Sequence, residues 1–366
     1  MRRLARLGIW AAAILLLLGA AAGVTVASVE ISCVTSAPQQ DTSGSQFRID
    51  DADYPRAVGN SYLSYPEWNI VHAYEDLAGV MRLSSESGFE YTSAIGNFWS
   101  SLCVATRVAS GIGPVSVDQK ATNYIIGMSF TVEMALQGAY ERTLGALTAW
   151  IRGPARTAED EFALRVADDY AAFLSQTPWY EFPFGRKFYE LWSTVPFRFT
   201  VRSIERRFAL SALYGAKAGY AAVLRYAAGY SPAALKIKSV VAGLDRADLD
   251  ADPRIRKVRD IQVQSGSPAT LIETPRYRAF TEILRGLARR ERTVLEIAGN
   301  RRILTTVIMP AGRAIEADGV REIFSLPLQA RPGWRRVGLD TQVERLAAQI
   351  ASVEARGATF EHAYDY

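Results

Sequence analysis

Three ionisable side chains at short spacing make the first case for chemistry. In the stretch from Tyr65 to Arg82, YPEWNIVHAYEDLAGVMR, His72 is followed by Glu75 and Asp76 at spacings of three and four. If the stretch is helical these three share one face. An imidazole beside carboxylates is the arrangement used for general acid–base work or for holding a ligand. Glu67, His72 and Asp76 are the candidate catalytic residues. The same spacing fits a surface histidine bonded to Asp76, and both readings stand at this level. The other histidine, His362, lies between Glu361 and Tyr364 near the C-terminus and reads as structural.

A second set of charges lies inside apolar sequence. From Asn123 to Ile151 (NYIIGMSFTVEMALQGAYERTLGALTAWI) the polar residues Ser129, Glu133, Gln137 and Glu141 recur every four positions, a single stripe on one helical face. From Arg206 to Tyr226 (RRFALSALYGAKAGYAAVLRY) the lone central charge is Lys217. An unpaired charge at the centre of a bilayer costs about 2.5–3.5 kcal/mol, so the two stretches predict a Glu133–Lys217 pair between facing helices. Gly215 and Gly219, four apart, supply a small-residue seam for close helix contact. Basic residues near both ends of the intervening segment predict three membrane spans, with the C-terminal region on the outer side.

The two cysteines, Cys33 and Cys103, either form one disulfide or remain two thiols. No C-x-x-C occurs, and two histidines in 366 residues do not make a structural zinc site, so no metal and no cofactor is expected. Walker A, G-x-G-x-x-G, G-x-S-x-G, H-E-x-x-H and EF-hand patterns are all missing, which weighs toward a non-enzymatic role. The chain is 49% hydrophobic and 22% charged, a folded composition rather than a disordered one. A net charge of +4, against 42 basic and 38 acidic residues, gives no footprint for nucleic acid.

The elements that must position these residues follow in order. Residues 1–28 read as an N-terminal signal anchor, Arg2, Arg3 and Arg6 preceding an apolar run, with cleavage after Ala27 or Ser28 as the other reading. Residues 29–122 form an extracytoplasmic helical segment whose main helix opens on a capping box at Ser64–Glu67. Residues 123–230 hold the helical pair and an aromatic-rich connection, TPWYEFPFGRKFYELW, that serves as an interfacial belt, a binding surface or simple packing. Residues 231–259 form a linker. Residues 260–366 alternate strand and helix patterns in the order β-α-β-β-β-β-α-β, with Gly299-Asn300 as a hairpin turn; this is a ferredoxin-like sandwich with an added strand. The predicted fold class is a mainly α membrane-associated helical part plus a C-terminal α+β ferredoxin-like domain.

Several phrases resemble an uncharacterised family of bacterial inner-membrane proteins: YPEWNIVHAYEDLA, IGNFWSSLC, SFTVEMALQGAYERTLG, PWYEFPF, ERRFALSALYGAKAGY, ETPRYRAFTEIL and the terminal EHAYDY. The resemblance covers most of the chain beyond the N-terminal run. It implies a bacterial inner-membrane location, a lipid bilayer as partner, and no particular reaction. The expectation is a non-enzymatic membrane protein presenting its C-terminal domain outside the cell membrane to a protein partner or ligand, in assembly or sensing. The alternatives are an enzyme acting on lipid or envelope substrates through Glu67, His72 and Asp76, and a transport accessory subunit using Glu133 and Lys217.

Overall fold

The computed structural model describes residues 23–33, 54–112, 115–227, 235–262, 268–315 and 318–366, together with positions 45, 47, 49 and 51. Most of the signal-anchor segment and most of the polar stretch after Cys33 lie outside these residues.

The first half is a layer of packed helices. A short helix α1 (23–33) precedes α2 (Gly59–Leu63), α3 (Tyr65–Leu83), α4 (Tyr91–Ile112) and α5 (Val117–Tyr140). A π-helical turn (Glu141–Gly145) leads into α6 (Ala146–Arg152), then α7 (Ala158–Leu174), α8 (Phe184–Ser193) and α9 (Val201–Ala227). Thr157 and Asp160 form a capping box that opens α7. The capping box predicted at Ser64 does not form. Ser64 is itself helical and its hydroxyl bonds back to Ser61 O, because α2 runs almost directly into α3.

No helix among the described residues is long and apolar enough to cross a membrane. The three-span topology is therefore corrected, and so is the inner-membrane placement with an extracytoplasmic C-terminal domain, for which no described helix supplies a span. The apolar residues that suggested spans are used inside the protein. Phe130 and Met134 of α5 and Leu210 and Tyr214 of α9 enter one core with Tyr74, Leu77, Phe98, Phe162 and Tyr170. The polar stripe of α5 faces neighbouring helices rather than a partner span. Cys33 of α1 and Cys103 of α4 are joined in a disulfide with Cα atoms 5.0 Å apart. Glu30 of the same helix accepts from Tyr124 on α5 at 2.6 Å and pairs with Lys120.

The second half departs from a single ferredoxin-like sheet. It builds two four-stranded antiparallel sheets, ordered β2-β3-β1-β4 and β6-β7-β5-β8. The first comprises β1 (Lys236–Ala242), β2 (Arg256–Gln262), β3 (Pro268–Pro275) and β4 (Thr293–Ile297). The second comprises β5 (Arg302–Pro310), β6 (Val320–Pro327), β7 (Trp334–Gln342) and β8 (Thr359–Tyr364). The stretch read as a linker holds β1, α10 (Arg246–Ala251) and much of β2. The charge-rich sequence of β2 hides that strand because it is exposed along most of its length. The Gly299-Asn300 turn does not make a sheet hairpin: β4 belongs to one sheet and β5 to the other. Asn300 donates to Arg56 O and Ala298 O and turns the chain between the sheets. Helices α11 (Tyr277–Arg289) and α12 (Leu346–Ala355) complete one core shared by both sheets, in which Ile237 and Ile272 of the first join Val307, Val337 and Leu339 of the second.

The halves meet where α2, α3 and α4 cover the β5–β8 sheet. Tyr65 and Trp68 of α3 pack with Leu304, Phe324 and Tyr364. Ser61 of α2 reaches across this seam to two paired strands, donating to Tyr364 O at 2.6 Å and accepting from Leu304 N at 2.9 Å. Tyr62 donates to Asp340 at 2.7 Å. Asp340 lies buried at the end of β7 and is paired with Arg302.

Candidate functional site

A concave site lies in the helical layer, and the sequence did not single it out. A cavity of about 460 Å3 opens between the C-terminal end of α3 and helix α6, lined by Ser84, Ser85, Ser87, Trp150, Arg152 and Arg156 among others. Its lining contains two arginines and no carboxylate. Arg156 is fixed across the end of α3, donating through Nη2 to the carbonyls of Met81, Arg82 and Ser84, the last two at 3.0 and 3.3 Å. Those are carbonyls a helix terminus leaves without intrahelical partners, and a cation there meets the negative end of the helix dipole. Arg152 donates from Nε to Gly153 O at 3.0 Å and from Nη1 to Asp160 at 2.5 Å. Trp150 is 80% exposed and forms an aromatic wall.

Beneath this mouth lies a buried network of arginines and acids. Asp160, at the third position of α7, receives Arg202 at 2.8 and 3.0 Å as well as Arg152. Burial alone would raise the Asp160 carboxyl, but the Arg202 charge and the bonds from Thr157, Arg202 and Arg152 hold it below its ordinary value. Arg206 donates to Glu141 at 2.8 Å and also pairs with Glu86. Burial pushes the Arg206 guanidinium down to about 10 and the Glu205 carboxyl up to about 7. Burial likewise raises Glu141, against the pull of Arg202. One oxygen of each of these two glutamates and Nε of Arg206 have no hydrogen-bond partner among the described residues.

The π-helical turn is what brings Glu141 inward. An i→i+5 turn inserts one extra residue and rotates the side chains that follow, and such turns occur often at functional sites. The room comes from Gly145: a Cβ there would sit 2.4 Å from Glu141 Oε2. A local signal for this exists in the sequence only as Glu141 and Gly145 four residues apart, which reads as ordinary helix.

The candidates expected from sequence are scattered. Glu67 lies exposed on α3 and accepts from Gln119 at 3.5 Å. Asp76 accepts from the backbone N–H groups of Gln329 and Ala330, at 3.3 and 3.4 Å, and so clips the loop after β6 to α3. His72 is buried, with Glu75 at 2.9 Å on Nδ1 and Tyr364 Oη at 3.1 Å on Nε2. Glu67, His72 and Asp76 thus do not converge in one pocket. The residues that do join His72 are Glu75 and, from β8, Glu361, whose Oε1 is 3.8 Å from Nδ1. His362 is buried and stacked on Trp68 with ring centroids 3.7 Å apart, and burial lowers it to about 3.

Glu133 and Lys217 meet at 2.5 Å, inside the helical layer rather than inside a bilayer. Tyr74 donates to Glu133 and accepts from Lys217 at 3.1 Å, and the ammonium sits over Tyr74, Tyr170 and Phe184 at 4.6–5.1 Å. Beyond each other, the two charges are held by Tyr74 and, on Glu133, by Gln137. Gly215 and Gly219 form no packing seam: nothing among the described residues lies within 4 Å of where a Cβ would be on either. They face outward on α9, opposite the side that carries Arg206 and Tyr214.

No protein-family model, no curated protein and no solved structure matches this chain.

Proposed function

We propose that this chain is a non-enzymatic binding protein that takes a small anionic ligand with an attached apolar or aromatic group in the cavity between α3 and α6. The observation that carries the reading is the lining of the mouth, which has two arginines and three serines and no carboxylate: Glu86 and Asp160 line the pocket beneath, and the half-exposed Glu161 stands 3.6 Å from Arg156 outside the lining. Guanidinium groups fixed by their own partners form charge-assisted hydrogen bonds to a carboxylate or phosphate at low ordering cost. The exposed face of Trp150 supplies the apolar contact.

A binding role also fits the deeper network better than catalysis does. Its acids and arginines are bonded to one another, which rigidifies the floor but leaves no nucleophile–base pair facing the cavity.

The reading is tested by ligand-induced stabilisation, which grows as the logarithm of ligand concentration over Kd. Phenyl phosphate raises the unfolding temperature of the wild type. Trp150→Ala, a change at an exposed position, keeps the response to inorganic phosphate and loses the extra response to the phenyl group. Equal responses of wild type and variant to both compounds, or no response at all, would overturn it.

A further inference from the structure

The polar cluster around His72, at the seam between α3 and β8, is separate from this cavity and has a chemistry of its own. We infer that His72 Nδ1, Glu75 and Glu361 form a site for a first-row divalent transition-metal ion.

Their ligand atoms all lie within 4.8 Å of one another, with His72 Nδ1 2.9 Å from Glu75 and 3.8 Å from Glu361. Ligands held at about 2.0–2.2 Å from one ion stand roughly 3–3.6 Å apart, so the cluster needs only a small closure. Glu75 can supply it, since its side chain is 44% exposed and His72 and Glu361 are anchored. One imidazole and two carboxylates match zinc, manganese or cobalt and do not make a purely hard calcium-type shell.

Three features around the cluster favour an ion. The imidazole is oriented from behind by Tyr364 Oη on Nε2, and Thr306 Oγ1 lies 3.0 Å from that hydroxyl. If Nε2–H donates to Tyr364, the Nδ1 lone pair points at two carboxylates, an arrangement that a cation between them stabilises. Arg336 grips both oxygens of Glu361 at 2.6 and 2.7 Å, which fixes that carboxylate. The same guanidinium comes within 4.0 Å of Glu75 Oε2 and so faces both carboxylates. The exposed side of Glu75 leaves room for water to complete the coordination.

The chain has two histidines, so a histidine-selective 15N spectrum of the full protein reads the site directly. Addition of zinc chloride is expected to move the Nδ1 resonance of His72 and leave His362, stacked on Trp68, in place. Glu75→Ala, at a half-exposed position, should keep the metal-free stability and weaken zinc binding about tenfold or more. An unchanged His72 resonance under excess zinc would make the cluster an ion-pair network only. A zinc response that survives unaltered in Glu75→Ala, or that appears at His362 instead, would equally overturn the site.

Discussion

Lys217 shows how one residue can be read correctly for its need and wrongly for its surroundings. An ammonium in the middle of an apolar helix must find a counter-charge, and that argument led to Glu133, which it meets at 2.5 Å. The same argument assigned both to a bilayer, where the structure instead surrounds the ammonium with Tyr74, Tyr170 and Phe184. Desolvation by lipid and desolvation by a protein core impose the same demand on sequence, so the pattern does not separate them. Replacing Lys217 by Met leaves the carboxylate of Glu133 with only Tyr74 and Gln137 as donors. Loss of one partner from a buried pair costs 3–5 kcal/mol, and with Glu133 28% exposed the expected loss is about 1–2 kcal/mol in chemical denaturation. An unchanged midpoint would mean that the pair contributes nothing net. Of the chemistry near His72, the histidine and the helical face were legible. Glu361 was not, because it comes from a strand 289 positions along the chain (361 − 72) and only tertiary pairing brings it there.

At the scale of elements, the main helix α3 was readable from Pro66 and Glu67 in its first turn, although the expected capping box does not form. The π-helical turn was not, because an extra residue in a helix leaves no mark in composition. Its integrity depends on Gly145. Gly145→Ala puts a methyl 2.4 Å from a buried carboxylate oxygen, so the turn must reopen or Glu141 must leave Arg206. A loss of roughly 2 kcal/mol or more is expected, whereas alanine is ordinarily the better helix former than glycine by about 1 kcal/mol. A stabilised variant would show that Glu141 is not held there. The strand β2 escaped notice for a different reason: an exposed strand has charged residues on both faces and no alternation to find. The disulfide between α1 and α4 links positions 70 residues apart, and its removal by a Cys33→Ser, Cys103→Ser double variant should cost roughly 2–4 kcal/mol.

Across the whole molecule, a helical layer with a charged floor is seated on a two-sheet α+β half through a seam of buried tyrosines and hydrogen bonds. The floor gives the protein a pH signature. Glu205 has its carboxyl raised from 4.5 to about 7 by burial. Below pH 4.5 it is neutral in the folded and unfolded chain alike; between 4.5 and 7 the unfolded chain loses its proton first, so stability falls as pH rises. Asp160 is held below its ordinary value and acts in the opposite sense, its contribution lost as pH drops below about 4. Denaturation midpoints measured from pH 4.5 to 8 should therefore decline less steeply in Glu205→Gln than in the wild type. Identical slopes would show that Glu205 does not titrate with folding.

The claim that organises these scales is that the mouth above this floor holds an anion, and calorimetric titration with phenyl phosphate addresses it most directly. Wild type should bind one equivalent, and Arg156→Gln, its fold verified by circular dichroism, should bind about tenfold or more weakly through loss of a charge-assisted contact. Binding of equal strength in both proteins, or no heat at all with the wild type, would contradict the account.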